Sequence, residues 1–189
     1  MKTLNKKAAM EMSVGTIVTI VLLMSVLVLG LVLTTNIFKG ATNAVDMTND
    51  QLTDQISKLF SKDEKIVIYP ESRLVQIKQE AIGAVGIGIK NKLTGTAGET
   101  KFSYTVSVSD PDLQKKCGAD IRTSDVESWI TAGREQINMP IASGDFANEK
   151  IRFEIPVGAP LCTIRFSANV LAGTQTYGSV RFDVQVLAK

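Results

Sequence analysis

Between Met12 and Phe38 the chain carries no charged residue, and from Ile17 to Leu33 it is almost wholly apolar. No other feature limits the fold so strongly. At about 1.5 Å of rise per residue, a helix over this run outspans a hydrocarbon layer of about 30 Å. A secretory signal core is shorter, about 7 to 15 residues, and a helix buried in a soluble core rarely lacks a polar face over such a length. Residues 13–38 therefore read as a transmembrane helix.

Charge orients that helix. Lys2, Lys6 and Lys7 precede it, whereas Lys39 is soon followed by Asp46, Asp50 and Asp54. The positive-inside rule puts residues 1–12, a short basic leader, in the cytoplasm and everything after Lys39 outside the cell membrane. The net charge of +2 belongs to the leader, because basic and acidic residues balance from Lys39 onward. A neutral domain with no basic block gives no electrostatic reason to expect nucleic acid as a partner.

Glu11 stands at the start of the apolar run, directly behind Lys6-Lys7-Ala8-Ala9-Met10. A carboxylate there costs less than the roughly 2.5 to 3.5 kcal/mol expected at the centre of a spanning helix, since it reaches the interface. It still calls for a partner. The order of basic pair, small residue, short spacer, acid and long apolar helix resembles the leader of archaeal type IV pilin-like proteins and archaellins, over residues 1–38. The resemblance implies that a membrane peptidase cuts after Ala8, so that Ala9 bears the new amino group. It also implies that Glu11 pairs with a neighbouring subunit's N-terminus as helices pack into a filament core. The alternative is an uncleaved signal anchor, whose lysines set topology and whose Glu11 is an interfacial acid.

Beyond the membrane run, residues 39–63 form the next segment. Val45, Leu52, Ile56, Leu59 and Phe60 fall at near-helical spacing, with Asp46, Asp50, Asp54 and Lys58 between them. This spacing predicts an amphipathic stalk helix from Asn43 to Lys62 whose apolar stripe covers a sheet. From Lys65 the period becomes two, the mark of half-buried strands. Alternation is plain in Ile66–Tyr69, Leu74–Ile77 and Ala81–Ile89, and in Phe102-Tyr104-Val106-Val108. It recurs in Ile151-Phe153-Ile155, Cys162-Ile164-Phe166-Ala168 and Val180-Phe182-Val184-Val186. Short strands joined by Gly, Pro and Asp turns predict an antiparallel, immunoglobulin-like β-sandwich over residues 64–189. An excursion over about 110–148 alternates poorly and has a capping-box pattern at Ser124-Asp-Val-Glu127. The whole is a mainly β, pilin-like architecture.

The chemistry is sparse. There is no histidine, so a serine triad cannot be assembled and the commonest metal ligand is missing. Cys117 and Cys162, the two cysteines, cannot complete a tetrahedral metal site. In an exported domain their expected fate is a bond to each other, with two free thiols as the alternative. Trp129 reads as a core anchor, and Asp110-Pro-Asp112 as turn chemistry ahead of calcium binding. Gly83, Gly86 and Gly88 lack the spacing of a nucleotide loop and instead give one strand a flat, small face.

No enzymatic activity and no cofactor are expected. Two functions fit. The first is a filament subunit for adhesion, surface attachment or motility, with a leader peptidase, an assembly machinery, the membrane and copies of itself as partners. The second is a single-pass membrane-anchored module whose sandwich binds a surface component.

Overall fold

The computed structural model describes residues 6–39, 44–60, 63–94 and 100–189; the side chains of residues 6–14 and 34–39 lie outside that description. The chain divides into two units, Met1–Gly40 and Ala41–Lys189. The first unit holds a single helix, α1 (Lys6–Lys39). Its stretch Gly15–Leu33 is long and apolar enough to cross a membrane. The large apolar side chains from Ile17 to Leu33 are 48–69% exposed. The helix also satisfies its own polar side chains. Thr19 donates its hydroxyl to the Gly15 carbonyl at 2.8 Å, and Ser25 donates to Val21 at 2.8 Å.

The second unit is mainly β. After a turn at residues 44–46, α2 (Asn49–Leu59) opens on a capping box in which Thr48 and Gln51 satisfy each other's backbone N–H. The helix is shorter than the expected 43–62, because Thr48 caps it late and Phe60 is already extended. Among the described residues nine strands follow: β1 (Ile66–Tyr69), β2 (Leu74–Lys78), β3 (Ile82–Lys90), β4 (Thr100–Val108), β5 (Ile130–Ala132), β6 (Glu135–Ile141), β7 (Phe146–Glu154), β8 (Thr163–Ala172) and β9 (Gln175–Leu187). Two short helices, α3 (Leu113–Cys117) and α4 (Thr123–Glu127), lie between β4 and β5.

The strands form a four-stranded sheet, β1-β3-β7-β5, and a five-stranded sheet, β2-β9-β8-β4-β6. Alternation aims one face of each sheet into a shared core. Phe153 of the first sheet meets Phe166 and Phe182 of the second edge to face, at 5.2 and 6.1 Å between ring centroids. All the alternating apolar positions of the C-terminal strands, from Ile151 to Val186, are buried there.

Strand β3 is covered on both faces. Val85, Ile87 and Ile89 point into the core, while Gly86 and Gly88 leave room on the outside for Leu52 and Ile56 of α2. A Cβ on Gly86 would come within 2.6 Å of Leu52, and one on Gly88 would collide with Ile56 and Val67. Of the flat, small face expected of Gly83, Gly86 and Gly88, only Gly86 and Gly88 form the seat of the helix; Gly83 lies on the other face, against Ile77 of the core.

Three expectations need correction. The sandwich is not wholly antiparallel: β2 runs parallel to β9, from Leu74 beside Asp183 to Lys78 beside Leu187. The turn from Pro70 to Arg73, closed by the Arg73 N–H donating to the Pro70 carbonyl at 2.8 Å, carries the chain from one sheet to the other. Second, residues 110–148 are not only an excursion, since β5 joins the first sheet and β6 the second. Their alternation is masked by a register shift opposite Phe102 and Tyr104, by Asn138 at φ +56°, and by Pro140 on the outermost strand. Third, the Ser124–Glu127 capping box does not form. Asp125 instead accepts the Arg122 N–H at 3.0 Å, while Glu127 turns away to accept the Val108 N–H at 3.2 Å.

Gly88→Val should detach α2 from β3 and lower the unfolding free energy by about 1–3 kcal/mol, the usual cost of overpacking. Denaturant unfolding of the full chain measures this. An unchanged midpoint would show that α2 contributes nothing to stability.

Candidate functional site

The residues singled out in the sequence fall in two places. Lys6, Lys7, Ala8, Ala9 and Glu11 all lie within α1, and their side chains are outside the described residues. Their backbone is continuous with the apolar span, so the helix begins ahead of the charge-free run.

Cys117 and Cys162 lie together at one end of the sheets and are bonded, with Cα atoms 5.4 Å apart across 45 residues of sequence. The bond fastens α3 to the segment leading into β8. Beside it, Asp110 forms a hub. Its carboxylate is 1% exposed and accepts hydrogen bonds from Lys116 Nζ at 2.8 Å, the Asp112 N–H at 3.1 Å and the Arg165 N–H at 3.3 Å. Burial alone would raise its pKa, but the Lys116 hydrogen bond, the two backbone donors and the Lys116 charge together hold the carboxyl below its ordinary value. An ammonium thus occupies the place that the calcium reading of Asp110-Pro-Asp112 would give to a cation. Among the described residues, no group of three or more Cys, Asp and Glu is arranged to hold a metal ion.

Trp129 is buried, with its carbonyl accepting the Glu154 N–H at 2.8 Å, as suits a core anchor. Tyr104 donates its hydroxyl to the Gly133 carbonyl at 3.2 Å, where the chain crosses from β5 to β6. Burial first, and the charge of Glu149 second, push this phenol far above its ordinary range, so it stays a donor at any physiological pH. Among the described residues, Ser109 Oγ is the buried side-chain oxygen with no partner.

Sequence reasoning missed one cluster. Ser72, Arg73, Arg165, Arg181, Phe182 and Asp183 line a shallow hollow of about 210 Å³ on the outside of the five-stranded sheet. Arg165 reaches Asp183 through two parallel bonds, Nε to Oδ1 at 2.9 Å and Nη2 to Oδ2 at 3.1 Å. The only advance signal was that Arg165, Arg181 and Asp183 occupy the polar phase of two alternating strands, which does not say that those strands are neighbours.

No known family model and no characterised protein matches the sequence. Solved structures give distant likenesses. A PapD-like domain of human CEP192 has a TM-score of 0.39 and 12% identity over 66% of this chain and 85% of that one. A family 123 glycoside hydrolase from Clostridium perfringens has a TM-score of 0.40 and 13% identity over 70% of this chain and 24% of that one. A Niemann-Pick type C2 protein from Japanese carpenter ant has a TM-score of 0.36 and 11% identity, covering 66% and 90%.

Two stability outcomes follow from the hub and the staple. Replacing both cysteines by serine should cost about 4 kcal/mol, the chain-entropy value for a loop of this length. Asp110→Asn should cost about 1–3 kcal/mol at neutral pH. Because the folded-state pKa of Asp110 is depressed, its stabilisation is present above the unfolded value of 3.8 and is lost as pH falls through the folded value. The gap between wild type and Asp110→Asn, measured by urea unfolding at several pH values, should therefore close in acid. A gap that widens in acid would contradict the assignment.

Proposed function

We propose that this chain is a membrane-anchored surface subunit that assembles through its N-terminal helix, in the manner of the pilin-like and archaellin-like proteins its leader resembles. The observation that carries the reading is α1 itself. Its described large side chains are apolar and exposed along the span, and Thr19 and Ser25 are satisfied within the helix. A helix apolar on every side is stable only in lipid or against other apolar helices. Directly ahead of it stands Lys6-Lys7-Ala8-Ala9 with Glu11, the arrangement that provides for release by cleavage and pairing with a neighbour.

The exported domain is read as immunoglobulin-like. Its sheets, β1-β3-β7-β5 and β2-β9-β8-β4-β6, are read as the ABED and CFG sheets of that fold, with β2 added beside β9 and β6 added beside β4. The Cys117–Cys162 bond supports an oxidising, extracytoplasmic location, with the first residues in the cytoplasm. In such a subunit the domain faces outward from a helical core, for adhesion, surface attachment or motility.

The mass of the protein recovered from its native membrane tests the reading. The mature chain should begin at Ala9, and Glu11→Ala should leave membrane insertion intact while abolishing filaments seen by electron microscopy. Retention of Met1 to Ala8, with only monomers after crosslinking through the apolar helix, would favour the uncleaved single-pass anchor instead.

A further inference from the structure

We infer that the outer face of the five-stranded sheet carries a binding subsite for the acidic groups of an anionic polysaccharide, built on Arg73 and Arg181 with Arg165 behind them. Three strands bring these residues together. In register, Asp183 of β9 lies between Leu74 of β2 and Arg165 of β8, and Arg181 lies beside Ser167. Arg73 precedes β2 with φ +55°, a left-handed conformation unusual for a side chain of this size. Its N–H donates to the Pro70 carbonyl at 2.8 Å, and its carbonyl accepts the Asp183 N–H at 2.7 Å. The turn bearing Arg73 is thus bolted to the strand that bears Arg181.

Charge in the hollow is not balanced. Asp183 is the one acid lining it, and it is committed to Arg165 in a fork-to-fork pair. Asp110, the next acid towards Arg165, is held by Lys116. Arg73 and Arg181 are exposed and make no ion pair with any described residue. The domain is neutral as a whole, so two guanidiniums without an ion-pair partner in one hollow form a local excess, although Arg73 also borders a second hollow with Glu64 and Glu71. Guanidinium is the group best shaped to grip a planar or tetrahedral oxyanion through paired N–H donors.

The surroundings indicate what carries the oxyanion. Around the hollow the same sheet face presents Asn169 and the half-buried Ser107, together with Gln76, which donates to Gln185 at 2.8 Å, while Ser167 between them is buried. Hydroxyls and amides suit a sugar. The centre of a protein interface instead calls for aromatic and aliphatic area; the large apolar side chains on this face of β2, β9 and β8 are the half-buried Leu74 and Leu187 and, at the far end, Leu171, while Val75, Ile77, Ile164, Phe166, Phe182 and Val184 point into the core. The hollow is also too small and open to enclose a whole ligand, since pockets that do so measure about 300–1,000 Å³. It fits one acidic group of a polymer, whose repeats supply further contacts.

The test uses the full chain in detergent micelles, titrated by calorimetry at low salt with polygalacturonate, dextran sulfate and neutral dextran. Wild type should bind at least one of the acidic polymers and not dextran; the two acidic polymers distinguish a carboxylate from a sulfate preference. Arg73→Gln with Arg181→Gln should weaken that binding about tenfold or more, as loss of charge-assisted pairs requires. Arg73→Lys with Arg181→Lys should fall between, keeping charge but losing the fork. A control pair on the other side of the domain, Lys58→Gln with Arg152→Gln, should leave binding and melting temperature unchanged. Equal binding by wild type and the Arg73/Arg181 variant would overturn the proposal, as would an equal loss in the control pair. So would the absence of polymer binding alongside salt-sensitive self-association that disappears in the arginine variant, which would make the hollow a protein contact.

Discussion

The β unit depends on one strand having no free face. Most strands here bury one side and show the other to water, but β3 packs Val85, Ile87 and Ile89 into the core while α2 rests against Gly86 and Gly88. Removing the side chains from one face brings a helix close enough for Leu52 and Ile56 to reach full burial. Glycine in a strand interior costs backbone entropy, and here the cost is offset by the apolar area that α2 covers. The contact also ties α2 into the first sheet.

At the end of the sheets where β4 finishes and β8 begins, a different problem is solved. A long insertion with little core of its own has to be held against the sheets. The Cys117–Cys162 bond limits how far α3 can stray, and Asp110 fixes the loop before α3 by accepting from Lys116 and from the Arg165 backbone. Glu127 does the same for the far end of the insertion, accepting from Val108 and pairing with Arg134 at 2.5 Å. Polar contacts and a covalent bond substitute for hydrophobic burial where little can be had.

What could be read beforehand follows the length scale of each signal. Period-two alternation is local, so the inward residues of β4, β8 and β9 and the apolar run of α1 were legible residue by residue. Pairing is not local: nothing in Leu74–Lys78 says that its neighbour is β9 rather than β1, so its parallel direction could not be deduced. Strands β5 and β6 were hidden because a bulge at Asn138 moves Ile137 outward and Met139 inward, breaking the pattern that reveals a strand. The glycines of β3 were legible as a small face, but not as the seat of α2. The arginine hollow was illegible for the same reason as the parallel pair, since Arg73, Arg165 and Arg181 meet only once β2, β9 and β8 are set side by side.

The two units therefore answer to different solvents. In the domain, apolar side chains are paid for by burial against their own chain, and its outward surface is polar, with the arginine hollow as a local excess of charge. In α1 the same kinds of side chain are exposed, and a stretch of this hydrophobicity left in water would carry a penalty growing with every exposed methylene, about 0.8 kcal/mol each. Lipid removes that penalty, and so does a bundle of like helices; what distinguishes the two is what happens to charge at the helix start. In a bilayer Glu11 sits at an interface where water can reach it, and nothing need pair with it. In a bundle drawn out of the membrane it becomes a desolvated carboxylate, tolerable only with a cation beside it. A cut after Ala8 would create such a cation two residues away in sequence on every copy, which is what the short run from Lys6 to Glu11 adds to the long apolar one in the proposed function.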